Sequence, residues 1–198
     1  RFLAAHSRDK RMLQAFRRGE DLHQLLADAA GVTRKEGKMA DFLIVFGGTY
    51  KTLAAQANIP EAKAKHIMDT FMKTYPGVAE FMDQEARRNG YIVTPSGRRL
   101  YVDKARAYSG TNYYVQSGSR DVTCRGLIRL HEAGLTPYML LPVHDEVLFS
   151  VPRQFAERGA LMTSRLMAET VKGLEIPTDP EYAEESWGSI IEKENSKH

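Results

Sequence analysis

Apolar residues recur every three or four positions through most of the first ninety residues, which is the spacing of amphipathic α-helices. Polar and glycine-containing breaks divide this pattern, so we expect several short helices and not one long helix. The breaks predict helices over residues 1–18 (one or two, with a turn near 7–9), 21–30, 34–46, 50–57, 60–74 and 76–90. Asp21 and Thr33 are the expected N-caps of the helices that they precede, and Glu36 stands at the capping-box position after Thr33.

The period of the pattern changes after residue 90. Strand-prone residues on both sides of the Pro-Ser-Gly turn at 95–97 predict a β-hairpin over residues 91–102. A long helix is expected from about 108 to 133, because Gly134 is a suitable residue to end it. A helix from about 153 to 172, and a polar tail with one edge strand, complete the predicted elements.

A second hairpin is expected at residues 139–151. Two apolar runs, 139–143 and 147–151, flank the polar residues His144, Asp145 and Glu146. Such runs are typical of buried strands, and the polar break between them is typical of a tight turn. The predicted layout is therefore α+β, mostly helical with a small antiparallel sheet centred on this hairpin.

The composition places the chain among ordinary globular proteins. Its 198 residues suit one large domain or two small ones, with 42% hydrophobic and 27% charged residues. The formal net charge of +3 permits a polyanionic partner without requiring one. The single cysteine, Cys124, excludes an intrachain disulfide and suits a reducing cytosol. No apolar run approaches the roughly 18 residues of a membrane span. The chain begins with Arg1 and not Met, so we expect its true start elsewhere.

The Asp145–Glu146 pair at the second hairpin has two interpretations. An ionised carboxylate near a core is costly unless a cation or solvent compensates it. The carboxylates either lie at an exposed hairpin tip or bind Mg²⁺, which uses one or two carboxylates together with substrate phosphates. The turn by itself does not decide between them.

The helix predicted over residues 34–46 carries a stripe of four side chains at every fourth position, Arg34, Lys38, Phe42 and Phe46. Each step of four advances only about 40° around a helix, so the stripe occupies one broad face. Two cations followed by two aromatic rings suit a nucleoside triphosphate. The alternative is a solvated basic end with two core phenylalanines. The helix offers a separate apolar face, made of Met39, Leu43, Ile44 and Val45.

The long predicted helix carries a second stripe with the same spacing, Tyr108, Asn112, Gln116 and Arg120. Asn and Gln amides can donate hydrogen bonds to the minor-groove acceptors of DNA, which are nearly alike for all base pairs. Such contacts would test base-pair geometry without reading sequence. Amides on an exposed helix face are also commonplace, so this interpretation needs support from elsewhere.

Three further basic residues are candidates for phosphate contacts. Arg98 and Arg99 in the first hairpin could hold backbone phosphates, although arginines are frequent in surface turns. His23 lies in a first helical turn, where the amide groups favour anions, but an ordinary surface histidine would look the same. The other histidines show no metal-ligand spacing, and no Walker-type phosphate loop is present.

Five segments together resemble the family A DNA polymerases, the DNA polymerase I class. Residues 34–47, which carry the Arg-Lys-Phe-Phe stripe and then Gly, resemble motif B, and residues 141–146 (LPVHDE) are similar to motif C. Residues 19–23 (GEDLH) resemble the segment between motifs A and B. Residues 90–101 (GYIVTPSGRRLY) and 112–117 (NYYVQS) are similar to two further family segments. All five occur in the family's order and spacing, in variants that look more like those of bacteriophage members.

The resemblance implies a partial right-hand polymerase fold. Residues 1–18 would connect palm and fingers after motif A, residues 19–90 would form mostly helical fingers, and residues 91–198 would form a palm with a small antiparallel sheet. The implied activity is addition of deoxynucleotides to a primer 3′-hydroxyl, with two Mg²⁺ ions in each active site. The implied partners are primer–template DNA, deoxynucleoside triphosphates and an upstream segment with motif A, the thumb and any exonuclease. The implied location is the cytoplasm of a bacterium or phage-infected cell.

The resemblance also implies residue roles. Asp145 would be one of two aspartates that bind the metal pair, with Glu146 in a supporting part. His23, Arg34 and Lys38 would bind the triphosphate, and Lys38 would also act as a general acid toward pyrophosphate. The rings of Phe42 and Phe46 would lie near the sugar and base. The implied primer–template contacts are Arg98, Asn112, Gln116 and His144, to which the hairpin adds Arg99.

The chain departs from the family pattern at three positions and lacks one motif. Phe46 stands where the family usually has Tyr, and Asp41 and Leu43 replace the usual Asn and Gly. Arg1 matches the last residue of motif A, so the second metal-binding aspartate is expected upstream. We therefore expect that the chain alone does not extend a primer at a useful rate. Two hypotheses stay open, the carboxy-terminal part of a working polymerase and a catalytically silent DNA-binding fragment that retains the fold.

Overall fold

The structure is a computed structural model that describes residues 1–86, 90–183 and 185–190. Its contacts divide the chain into two compact units. The first unit comprises Arg1–Gly118 together with Val171–Leu174. The second comprises Ser119–Thr170 and Glu175–His198. The predicted division into fingers and palm at residue 90 stays a prediction, because these units group residues by compactness and not by role.

Seven helices occupy the first 86 residues. They are α1 (Phe2–Ser7), α2 (Lys10–Arg18), α3 (Leu22–Ala30), α4 (Arg34–Val45), α5 (Tyr50–Ala57), α6 (Glu61–Thr74) and α7 (Pro76–Ala86). Local capping explains their starts, since Asp9, Asp21 and Thr49 each accept a hydrogen bond from a backbone amide of the first turn. Thr33 and Glu36 form the predicted capping box. The predicted helices are confirmed to within one or two residues, and the last expected turn of α7, at 87–89, lies outside the described residues.

The core of the first unit is built where α3, α4, α5 and α6 pack. Its most buried large side chains include Leu26, Ile44, Leu53, Ile67 and Phe71, all with exposures of 1% or less. The N-cap of α2 adds a long-range link, because the carboxylate of Asp9 also accepts a hydrogen bond from the Gly77 amide at 2.8 Å. This bond joins the start of α2 to the start of α7.

The helices α3 and α4 approach each other unusually closely at Gly37. A Cβ atom at this position would lie 2.6 Å from the backbone carbonyl oxygen of His23 and 3.3 Å from the Cβ of Ala27. The nearest neighbour is backbone and cannot rotate away, so only glycine fits here. The contact brings the first turn of α3 against the face of α4 that starts with Arg34.

A β-hairpin and a long helix follow. Strands β1 (Tyr91–Val93) and β2 (Arg99–Tyr101) pair antiparallel, with Ile92 opposite Leu100, as predicted. The long helix, α8, covers Gly110–Glu132, and the residues before it, Lys104–Ser109, form a 3₁₀ segment. The expected start at 108 was therefore too early. The Asp103 side chain caps the 3₁₀ segment through the Ala105 amide, and the non-helical φ of −123° at Arg106 interrupts the helical course.

The second unit contains the predicted hairpin of β3 (Met139–Val143) and β4 (Glu146–Phe149). The turn has two residues, His144 and Asp145, with His144 in the left-handed region at φ 54°. Glu146 therefore lies in β4 and not in the turn, opposite Val143. The expectation of buried strands was wrong for both strands, since no residue of β3 or β4 is buried, and Leu140 is 66% and Leu141 52% exposed. The reason is that two strands make a ribbon too narrow to bury both of its own faces.

The helix predicted over 153–172 was wrong at its end. A 3₁₀ segment (Arg153–Phe155) leads into α9 (Ala156–Met167), and β5 (Glu169–Val171) and β6 (Leu174–Ile176) then form a sheet in place of one edge strand. The guanidinium of Arg129 donates to the Leu166 carbonyl at 2.6 Å and to the next two carbonyls. Since a side chain from α8 already satisfies these carbonyls, the helix need not continue to satisfy them. The turn between the strands has positive φ at Lys172 and Gly173, which is the type I′ pattern.

The described residues therefore form an α+β structure in which helices dominate and three small antiparallel sheets are added, as expected. The predicted single sheet is three separate two-stranded sheets. Among the described residues, no helix has both the length and the hydropathy that a membrane crossing requires.

The close approach at Gly37 makes a testable prediction about stability. Gly37→Ala should lower the free energy of unfolding by about 1–3 kcal/mol, because the new methyl group meets the His23 carbonyl. A matched control is Gly159→Ala in α9, where a Cβ would lie 3.8 Å from Val151. The control should be neutral or stabilising by up to about 1 kcal/mol, because alanine favours helix. Urea unfolding followed by circular dichroism measures both, and equal effects of the two variants would contradict the close approach.

Candidate functional site

The predicted stripe on α4 is exposed. Phe42 is 49% exposed and Phe46 is 44% exposed, and their rings stack with centroids 6.1 Å apart. The alternative of two core phenylalanines is therefore wrong. The exposed ring pair next to Arg34 and Lys38 is a surface on which a flat group could stack.

The face that α4 buries differs from the predicted apolar face. Its buried residues are Gly37, Ala40 and Ile44. Of the four residues expected to pack there, only Ile44 is buried, and Met39, Leu43 and Val45 are half-buried. The reason is steric, because small residues on this face of α4 let α3 come close, whereas larger side chains would hold it away.

The chain turns sharply after the ring pair. Phe46 is the C-cap of α4, and Gly47 follows with a φ of 79°. A Cβ at Gly47 would also lie 3.0 Å from the Tyr108 ring. Glycine is thus needed here for its conformation and for the space that it leaves. The turn ends the helix with the Phe46 ring beside the Phe42 ring.

The basic end of the stripe begins with an exposed ion pair. The Nε of Arg34 donates to the Asp21 carboxylate at 2.6 Å, and this hydrogen bond is the main reason why the pKa of Asp21 lies below its ordinary value. Both side chains are more than 40% exposed, so the pair contributes little to stability. The guanidinium can therefore exchange this partner for another anion at small cost.

Lys38 is exposed and makes no hydrogen bond or ion pair with a described residue. The acidic residue on the same helix, Glu36, is already engaged, since it accepts hydrogen bonds from Lys63 at 2.6 Å and from the Thr33 amide at 2.9 Å. The positive charge of Lys38 is therefore not neutralised by Glu36.

His23 lies beside the aromatic half of the stripe. Its ring centroid is 5.7 Å from that of Phe42, and its Nδ1 is 2.5 Å from the Oδ2 atom of Asp41. The histidine side chain is 27% exposed, whereas that of Asp41 is 14% exposed. The structure thus brings His23 to the stripe, as predicted, and adds Asp41. In the sequence, Asp41 stands out only weakly, through its place immediately before Phe42 and its replacement of the family's usual Asn.

Asp41 is an ionisable group in an unfavourable environment. Burial raises its pKa to about 6, although the hydrogen bond from His23 opposes the shift. The second carboxylate oxygen, Oδ1, is buried and has no hydrogen-bond partner among the described residues. A buried carboxylate with one oxygen that accepts no hydrogen bond lowers the stability of the fold. Ionisable groups with such perturbed environments are common at functional sites.

The first hairpin is joined to the start of α8 through Arg98. Its guanidinium donates to the Ser117 hydroxyl at 2.6 Å and to the Ser117 carbonyl at 3.0 Å. Arg99 lies over the Tyr91 ring at 5.4 Å, and Tyr101, opposite Tyr91, is 84% exposed. The contact with Ser117 places Arg98 close to the predicted amide stripe.

The amide stripe on α8 is only partly exposed. Gln116 and Arg120 are exposed, and Asn112 is half-buried, with a buried Oδ1 that has no partner among the described residues. Tyr108 is exposed, but it belongs to the 3₁₀ segment and not to α8. The predicted spacing of four thus crosses a change of helix type before Asn112. Gln116 is the amide best placed to contact a partner.

The hairpin tip of the second unit presents His144, Asp145 and Glu146 to solvent. No ion pair joins Asp145 to a described residue, and no three His, Cys, Asp or Glu side chains of the described residues form a group that could hold a metal ion. An exposed, unpaired carboxylate suits Mg²⁺, which takes oxygen ligands and often only one or two carboxylates. The donor set therefore fits part of a magnesium site, to which other ligands must contribute.

The family model for DNA polymerase family A matches residues 1–189 of this chain. The chain is 52% identical to the DNA polymerase of Mycobacterium phage L5 over 193 residues and 49% identical to that of Mycobacterium phage D29 over 201 residues. Each alignment covers 96% of this chain but only 32% or 33% of the phage protein, so the chain spans about a third of these relatives.

Bacterial polymerases are also similar. DNA polymerase I of Geobacillus stearothermophilus is 29% identical over 208 residues, an alignment that covers 92% of this chain and 24% of that protein. Among solved structures, the POL domain of Pol1 from M. smegmatis, in complex with DNA primer-template and dNTP, has a TM-score of 0.76 and 25% identity. It matches 90% of this chain and 36% of its own length. The higher identity to the two phage proteins agrees with the bacteriophage variants in the sequence.

The raised pKa of Asp41 predicts how stability depends on pH. The Asp41 carboxyl group holds its proton more tightly in the folded state than in the unfolded state. Its burial therefore costs no free energy of folding below about pH 3.8, and costs progressively more up to about pH 6. Asp41→Asn removes the cost. The stability of this variant relative to the natural chain should therefore rise by up to about 3 kcal/mol between pH 4 and pH 7. Urea unfolding at four pH values across this window measures the difference, and a difference independent of pH would contradict the shift.

Proposed function

This chain belongs to DNA polymerase family A, and we propose that it supplies the nucleotide-binding surface and part of the DNA-binding surface of a template-directed DNA polymerase. The observation that carries the proposal is the stripe on α4, with two exposed cations, two stacked exposed rings and His23 beside them. The similar M. smegmatis domain was solved with DNA primer-template and dNTP, which supports the same classes of ligand here.

In this proposal the basic residues bind the triphosphate of the incoming nucleotide. The planar guanidinium of Arg34 makes paired hydrogen bonds to phosphate oxygens, and the Lys38 ammonium adds a mobile point charge. His23 contacts the phosphates from the first turn of α3. Phe42 and Phe46 pack against the sugar and base, where a ring without a hydroxyl offers only apolar contact. The phosphates thus meet the cations while the base meets the rings.

The proposed reaction is attack of the primer 3′-hydroxyl on the α-phosphate, with release of pyrophosphate. Asp145, with Glu146 beside it, would hold the magnesium ions, which would activate the attacking oxygen and stabilise the leaving one. Arg34 and Lys38 neutralise the charge that builds up on the pyrophosphate. Lys38 also donates a proton to it as a general acid.

In this proposal, the remaining candidate residues contact the primer–template DNA. Arg98 and Arg99 hold backbone phosphates, which fixes the position of the duplex without reading its sequence. Asn112 and Gln116 donate to the minor-groove acceptors that all base pairs share. His144 lies near the primer terminus.

A catalytically silent DNA-binding fragment is the second candidate function. One exposed carboxylate and its neighbour are few ligands for two metal ions, and the described residues offer no larger metal-binding group. We therefore propose that the chain alone does not extend a primer at a useful rate, and that activity needs the remaining regions of the family. Primer extension with and without those regions separates the two candidates, because a silent fragment gains no activity from them.

Lys38→Ala tests the triphosphate site. In a chimaera in which this chain replaces the matching third of the phage L5 polymerase, KM for the nucleotide should rise at least about tenfold, since a charge-assisted phosphate contact is lost. Duplex affinity should stay within about twofold of the unchanged chimaera. The control is Lys65→Ala, which removes an exposed charge of the same unit on α6. Equal KM values for the two variants would exclude Lys38 from the site.

Asp145→Asn tests the metal ligand. This change keeps the shape of the side chain but removes the charge, so kcat for primer extension should fall by about 10³-fold or more while duplex binding persists. The control Asp179→Asn removes another exposed carboxylate of the second unit. An Asp145→Asn chimaera with unchanged kcat at all magnesium concentrations would show that Asp145 holds no catalytic metal.

A further inference from the structure

The contact between His23 and Asp41 joins the first turn of α3 to the exposed stripe of α4. The distance of 2.5 Å between Nδ1 and Oδ2 is that of a strong, charge-assisted hydrogen bond. An ionised carboxylate only accepts hydrogen bonds, so the proton of this bond belongs to Nδ1. The backbone fixes the same residue, because the His23 amide donates to Asp21 at 2.9 Å and the His23 carbonyl lies against Gly37.

The other nitrogen of the ring is the one that can meet a ligand. Nε2 of His23 has no hydrogen-bond partner among the described residues, and the side chain is 27% exposed. In the neutral ring with its proton on Nδ1, Nε2 is an acceptor, and two acceptors, Nε2 and a phosphate oxygen, cannot bond to each other. In the imidazolium, Nε2 carries a proton and donates to phosphate. Phosphate binding through Nε2 therefore requires a proton on that nitrogen.

We propose that Asp41 is a positioning residue that holds His23 in the orientation in which its Nε2 atom meets the triphosphate. The proposal rests on the function proposed above. The mechanism is electrostatic, since a carboxylate at hydrogen-bond distance stabilises an imidazolium. A neutral amide at residue 41 could still accept the Nδ1 proton, but it would not supply the charge.

Several other groups act on Asp41 or on its neighbours. Asp21 is the other carboxylate that acts on Asp41, and Arg34 already pairs with it. Across from the end of α6, the Tyr75 phenol interacts with Asp41, and burial raises the pKa of Tyr75 to about 12, so the phenol stays neutral. Arg11 and Asp9, at the start of α2, act on Tyr75.

The charged residues on α4 and α6 are accounted for as well. Lys38 repels an imidazolium on the same face, and Asp41 offsets this repulsion. Lys63 on α6 pairs with Glu36 at 2.6 Å. Above about pH 6 the Asp41 carboxylate is ionised, which is the state that favours the imidazolium.

The test measures KM and kcat for the nucleotide at pH 7 in the chimaera, for the unchanged chain, Asp41→Asn, His23→Gln and the double variant. In Asp41→Asn, KM should be about five- to tenfold higher than in the unchanged chain, because the charge that holds the His23 ring in place is lost. The change should lie in KM and not in kcat.

The double variant separates a positioning role from a general structural one. If Asp41 acts through His23, then His23→Gln should raise KM, and Asp41→Asn should add nothing further in the double variant. Asp41→Glu, which keeps the charge, should bring KM part of the way back to that of the unchanged chain. An Asp41→Asn variant with the KM of the unchanged chain would overturn the proposal, as would an equal effect of Asp41→Asn in the presence and absence of His23.

The Lys38→Ala chimaera distinguishes this proposal from the proposed function. If Lys38→Ala raises KM while Asp41→Asn does not change it, the triphosphate site stands and only the role of Asp41 is wrong. If neither Lys38→Ala nor His23→Gln changes KM, the triphosphate assignment itself fails. Circular dichroism of each variant at pH 7 verifies that the fold persists.

Discussion

The close contact between α3 and α4 is the constraint on which the arrangement of the candidate nucleotide site depends. Gly37 has no side chain, and the His23 carbonyl occupies the space that a Cβ would need. Only at this separation can the first turn of α3 meet the side chains of α4 on both sides of the glycine, at Arg34 and at Asp41. A loss of this contact would leave the cations and rings on one helix but would separate them from His23.

The two ion pairs between these helices differ in energetic character. The Arg34–Asp21 pair is exposed, so water competes for both partners and either can leave at little cost. The His23–Asp41 pair is largely buried, and removing one partner would leave the other without compensation. The first pair therefore suits a residue that must release its partner to bind a ligand, whereas the second suits a residue that must keep its orientation.

The second unit shows how far a hydrophobic pattern can be interpreted. The apolar runs correctly predict a hairpin whose tip carries Asp145, because strand pairing and turn formation are local. They do not indicate which strand faces are covered, and Leu140 and Leu141 are exposed. The end of α9 could not be predicted from the local pattern either. Its last carbonyls accept hydrogen bonds from Arg129 of α8, and the sequence near residue 168 does not reveal this partner.

The sequence alone determined most helix ends, the first two hairpins, the spacing of the α4 stripe and the family, because capping residues, turn residues and side-chain periodicity act within a few positions. It left open whether the two phenylalanines of the stripe are exposed, which the structure decides. It did not determine the face by which α4 packs, the start of α8, or the importance of Asp41. These features depend on contacts between residues distant along the chain, such as His23 and Asp41, which are 18 positions apart. Only the tertiary structure decides them, because the burial that raises the pKa of Asp41 and the histidine that opposes this shift both come from helices packing together.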